Sequence, residues 1–124
     1  MLPAPDAELA EALAAAPPAL TFPPEMSGAI DRNMLGGGPE TATPYAYAGL
    51  SEDLSTFPPT YVENCEFDAF RSSGHLFAEQ LRAAGVDVVE VTRAGVPHGH
   101  LDRVGFAPAA ATLDALAARL TDRG

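Results

Sequence analysis

Two short stretches hold the residues best placed for proton transfer. In YVENCEFDAFRSSGHLF, Tyr61 to Phe77, a β-branched and aromatic run gives way to a helical pattern, and Asp68 sits at the change. In GVPHGH, Gly95 to His100, His98 takes the same kind of position after a valine-rich run. A carboxylate beside an imidazole fixes the ring's tautomer and steadies the imidazolium that forms when the other ring nitrogen takes a proton. Such a pair needs a group to deprotonate, and none of the serines in the chain is placed to be that group. Spacing alone leaves a second account open, in which Asp68 merely starts a turn and His98 is a solvated loop residue.

The remaining reactive residues allow other chemistry. His98-Gly99-His100, with Asp102 nearby, has the form of an H-x-H pair for zinc or iron, although such pairs usually sit on a strand that aims both rings one way. Cys65 lies where the strand should be buried and reads as a small core residue, with a Cys65, His98, Asp68 nucleophile arrangement as the alternative. His75 reads as a helix-surface residue, and Met26 and Met34 read as helix packing rather than as a cofactor contact.

Positioning Asp68 and His98 requires strands that end just before them. Thr60 to Cys65 reads as a strand after Pro58-Pro59, and Val86 to Thr92 as a second. Between them Ser72 or Ser73 is expected to cap a helix with Phe77, Leu81 and Ala84 on one face and Gly85 at its end. After GVPHGH, Pro108 opens a last helix whose Leu113, Leu116, Ala117 and Leu120 repeat at i, i+3, i+4 and i+7. The order β, α, β, α at this spacing predicts a right-handed crossover between parallel strands, which places both following loops along one sheet edge. Adjacent strands lie about 5 Å apart, so the acid can reach the imidazole there.

The first half is helical and punctuated by proline. Asp6 reads as an N-cap, Leu9, Leu13 and Ala16 share a face, and Pro17-Pro18 stops the helix. A second short helix is expected from about Pro24, with Met26, Ile30 and Met34 at i, i+4 and i+8, ending in Gly36-Gly37-Gly38. Residues 39 to 59 read as loop with a short helical turn.

A length of 124 residues allows one domain at most. Seven basic against 17 acidic residues give a net charge of -10, a field that repels nucleic acid and anionic membranes. All the basic residues are arginine, a choice that goes with the abundant alanine, glycine and proline and marks no basic site. One cysteine cannot form an internal disulfide, and the opening MLPAPDAELAEAL has neither the basic flank nor the apolar run of a signal peptide or membrane span. A cytoplasmic location is the expectation.

The segment LSEDLSTFPPTYVENCEFDAFRSSGHLFAEQLRAAGVDVVEVTRAGVPHGHL resembles α/β-hydrolase esterases of the hormone-sensitive-lipase-like branch. The resemblance covers residues 51 to 120 well, and more loosely residues 2 to 50, where NMLGGGPETATPYA looks like part of a cap. It implies an α/β fold: the C-terminal β-α-β-α section of an α/β-hydrolase sheet over residues 51–124, preceded by a helical cap-like segment over residues 1–50. It further implies Asp68 as the triad acid, His98 as the general base, ester hydrolysis without a cofactor, a small ester as substrate, and Leu20, Phe22, Met26 and Tyr45 as cap residues against it. The family's nucleophile sits in a G-x-S-x-G elbow between a strand and a helix. No such motif occurs here: Ser27 in EMSGA lacks the preceding glycine, and Ser51, Ser55, Ser72 and Ser73 read as turn or cap residues. Gly36 to Gly38 follow leucine rather than the histidine of the family's oxyanion motif. The chain is therefore expected to be the back portion of an esterase, inactive alone. Two parallel strands leave an open edge, so pairing with a separate N-terminal half or with itself is expected, and a non-catalytic assembly module is the alternative.

Overall fold

The computed structural model describes residues 3–18, 21 and 24–121. Its centre is a parallel pair, β1 (Thr60–Phe67) and β2 (Val88–Pro97), joined through helix α3 (Arg71–Ala83) and followed by α4 (Ala107–Thr121). Helices α1 (Ala7–Ala15) and α2 (Pro24–Leu35) precede them, with single 3-10 turns at Pro39–Thr41, Ala48–Leu50 and His100–Asp102. The second half thus has the expected β-α-β-α order.

Alternation along β1 sends successive side chains to opposite faces. Asn64 faces α3, where Gly74 lies so close that an added Cβ would press on the Asn64 amide oxygen and force that side chain to move. Glu63 and Tyr61 face α4, through a hydrogen bond from Thr112 and a contact of the Arg119 guanidinium over the Tyr61 ring at 4.5 Å. The apolar core lies under α3. Leu81, Leu54 and Val86 are buried together, with Phe57, Phe77, Ala84 and Val88 packed around them, and the Phe57 and Phe77 rings meet edge to face.

Helix α3 ends in a Schellman pattern: Gly85 takes φ +83, its N–H reaches the Arg82 carbonyl, and the Val86 N–H reaches the Leu81 carbonyl. Val86 is therefore spent on closing the helix, and β2 starts at Val88 instead of Val86. Helix α1 forms as its spacing requires, with the Asp6 carboxylate accepting from the Leu9 N–H at 2.8 Å and Leu9 and Ala16 buried.

Three local expectations are corrected. Neither Ser72 nor Ser73 caps α3; their hydroxyls donate back to the Ala69 and Phe70 carbonyls, and Phe70, whose side chain makes no cap hydrogen bond, holds the cap position. In α4 the inward residues are Ala109 and Thr112, while Leu113 and Leu120 are exposed, because Thr112 is drawn inward by hydrogen bonds to Glu63 and His100. In α2, Met26, Ile30 and Met34 share a stripe that stays largely exposed.

Candidate active site

The bond pattern of the sheet decides where the two loops meet. Residues Thr60 to Cys65 pair with Val88 to Arg93 in an even register, after which Phe67 pairs with Pro97. Between Cys65 and Phe67 β1 advances two residues, while β2 advances four from Arg93 to Pro97. Asp68 and His98 are then the first residues beyond one paired position. His98 Nδ1 lies 2.7 Å from Asp68 Oδ2. An ionised carboxylate can only accept, so Nδ1 carries the proton and Nε2 is the basic nitrogen of the neutral ring.

The surroundings hold each partner differently. The Asp68 side chain is only 8% exposed, and its other oxygen accepts from the Phe70 N–H at 2.9 Å, so the carboxylate that meets the imidazole also satisfies an open donor at the start of α3. The His98 side chain is 45% exposed and packs against the Phe70 ring, centroids 5.2 Å apart. Gly99, at φ +69, turns the chain sharply after it. A seated acid and an accessible imidazole are the arrangement that oriented general-base catalysis requires.

His100, two residues on, goes elsewhere. Its ring is buried, with Nδ1 3.3 Å from the Cys65 Sγ and Nε2 3.0 Å from the Thr112 hydroxyl. The two rings of the H-x-H sequence thus have separate partners and separate environments, one accessible and one in the core, which is not a shared metal geometry. Among the described residues no group of three or more His, Cys, Asp or Glu side chains is arranged to hold a metal ion.

Cys65 likewise pairs with His100 and not with His98. Burial pushes its thiol up to about 11, helped by the negative charges of Asp68 and Glu63. A thiol in that state is a core group rather than an activated nucleophile. It should resist a disulfide reagent such as DTNB at pH 8 in the native chain and react at once in denaturant; rapid native labelling would contradict its burial.

Beneath this pair lies a charged anchor. Burial alone would raise the Glu63 carboxyl, but hydrogen bonds from Arg93, Thr112 and Tyr61 outweigh it and hold the group down at about 2. Arg93 reaches Glu63 Oε2 at 2.7 Å, and the Thr112 hydroxyl bridges the same carboxylate to His100. The network ties β1, β2, α4 and the loop carrying His98 together. No motif or period in the sequence marks it, because its members are scattered along the chain.

Of the residues expected to contact substrate, Leu20 and Phe22 lie outside the described residues. Met26 is partly exposed and Tyr45 fully exposed on the surface. A cavity of about 590 Å³ is lined by Pro3, Asp6, Leu9, Arg71, His75 and Glu90 among others, and takes in none of Met26, Tyr45, Asp68 or His98. His75 is on the helix surface, as expected, where it bonds Glu90. No helix among the described residues is long and apolar enough to cross a membrane.

A parallel pair whose following loops bring an acid onto an imidazole is a section of one large class of folds, and comparison with known sequences defines it. Residues 2–102 match the model of an alpha/beta hydrolase fold family, and the chain belongs to that family. Its relatives include Carboxylesterase NlhH of Mycobacterium tuberculosis, 37% identical over 71 residues, which are 57% of this chain and 22% of the relative. Versiconal hemiacetal acetate esterase of Dothistroma septosporum is 35% identical over 60 residues, 48% of this chain and 18% of the relative. Both are esterases by name, in keeping with the hormone-sensitive-lipase-like resemblance of the motifs. The chain spans about a fifth of the length of these relatives.

Proposed function

We propose that this chain supplies the acid and the general base of a carboxylic ester hydrolase whose nucleophilic serine comes from residues outside these 124. The observation that carries the reading is the 2.7 Å contact between His98 Nδ1 and Asp68 Oδ2 above one edge of the parallel sheet. The serine hydroxyl attacks the acyl carbon of a small ester while His98 Nε2 takes its proton. His98 returns that proton to the departing alkoxide, water then repeats the sequence on the acyl-serine, and Asp68 steadies the imidazolium throughout. Each step is proton transfer or acyl transfer, so no cofactor is called for. Met26 and Tyr45, with Leu20 and Phe22, are the cap residues assigned to the ester in this reading.

By itself the chain carries a base with nothing to activate, because no G-x-S-x-G occurs in it and Cys65 is committed to His100. It should not hydrolyse p-nitrophenyl acetate above the buffer rate. Turnover by the chain alone that disappears in His98→Ala would overturn this.

A second reading rests on the sheet, which among the described residues has two strands in the order β1, β2. Parallel sheets are normally larger and covered on both faces, and the outer edge of β1 offers backbone groups to another strand. In this reading the chain is an assembly module that pairs with an N-terminal half or with a second copy. Size-exclusion chromatography separates the cases, since a stable monomer at high concentration argues against self-pairing.

A further inference from the structure

We propose that Glu66 is a positioning residue for His98, acting through the backbone of Gly95; the role rests on reading Asp68 and His98 as the catalytic pair. Had the register of Thr60 to Cys65 continued, Phe67 would face Gly95 and Asp68 would face Val96. His98 would then overshoot Asp68 by two residues of strand, about 6 to 7 Å. The bulge between Arg93 and Pro97 takes up those two residues. At its turn Gly95 adopts φ +72, a conformation that other L-residues adopt only with strain, and nothing crowds the place where a Cβ would be. The Glu66 Oε2 accepts from the Gly95 N–H at 2.6 Å. Glu66 stands on β1 opposite the bulge, so its carboxylate replaces the ladder partner that Gly95 lost when the register slipped.

The bond makes a definite difference to the imidazole. With the bulge held, His98 is level with Asp68 and carries its proton on Nδ1. Without it, the exposed Gly95 N–H turns to water and the bulge loses the tie to β1 that fixes where it turns, so His98 is no longer held level with the acid. Glu66 touches neither ring nor substrate in this scheme; it decides where the ring stands.

The test is the tautomer of His98 in the intact chain, read by long-range nitrogen–proton NMR, with denaturant midpoints recorded alongside. Glu66→Ala should lose the hydrogen-bonded Nδ1–H resonance of His98, and Glu66→Gln, which still offers an acceptor oxygen, should restore it. A purely structural role would lower the midpoint and leave the resonance in place, and that result overturns the proposal. If Glu66→Ala fails to fold, Glu66→Met, which keeps the length of the side chain but offers no acceptor oxygen to the Gly95 N–H, carries the same question and should lose the resonance. Retention in Glu66→Met would overturn the proposal. Asp68→Ala separates this from the larger reading, because a resonance that survives removal of the acid refutes the pair itself, whereas one lost in Asp68→Ala and kept in Glu66→Ala refutes the role of Glu66 alone.

Discussion

Replacing the matching segment of the Mycobacterium tuberculosis carboxylesterase with this chain should give an active hydrolase that depends on Asp68 and His98. His98→Ala in that chimaera should lower kcat by about four to six orders of magnitude, because the serine then has no base and the residual rate comes from binding and the oxyanion hole. Asp68→Asn should cost about four orders, since an amide stabilises the wrong tautomer and cannot offset the imidazolium charge. Both effects belong in kcat with KM little changed, because neither residue is assigned to bind the ground state. Steady-state kinetics on a short p-nitrophenyl ester measures them. A chimaera that folds, turns over and ignores His98→Ala would contradict the proposed role.

The second large effect concerns stability. Glu63 is almost buried and has a carboxyl held at about 2 against an ordinary 4.5. A group depressed in the fold stabilises it fully above the unfolded value, and that contribution is lost as pH falls through the folded one. The window here runs from about 4.5 down to about 2, and the contribution is of order 3 kcal/mol. Glu63→Gln should therefore flatten the acid limb of a stability profile measured by urea denaturation across that range. Arg93→Ala should be worse at neutral pH, by about 3 to 5 kcal/mol, because it leaves the carboxylate buried without its main counter-charge. An unchanged profile in Glu63→Gln would show that the network contributes nothing to the fold.

These two sites differ in how readable they are from the sequence. Asp68 and His98 stand at places where a strand pattern breaks, and parallel topology sends such places to one edge. Spacing alone leaves their meeting open beside a turn and a solvated loop, and it is the motif words around them that point to esterases, the kind of relative found. The Glu63 network could not be expected, because a threonine in the middle of an alanine-rich helix carries no signal until Glu63 and His100 are seen across from it.

The same cause explains the misjudged faces. Leu113 and Leu120 fit an inward stripe by period alone, yet α4 rotates to seat Thr112, and those leucines stay exposed. Ser72 and Ser73 fit the cap position by type, yet α3 already starts at Arg71, so both stand inside its first turn with their hydroxyls donating to the Ala69 and Phe70 carbonyls. The extra residues of β2 are harder still. Gly95 reads as an ordinary loop glycine until the register shows that it absorbs a slip on which the position of His98 depends.

The contact between acid and imidazole is the claim on which the rest stands, and the His98 ring proton reports on it directly. Long-range nitrogen–proton NMR at neutral pH should show His98 protonated on Nδ1 in this chain, with that pattern lost in Asp68→Ala. A His98 protonated on Nε2, or one whose spectrum is the same in both proteins, would contradict the account.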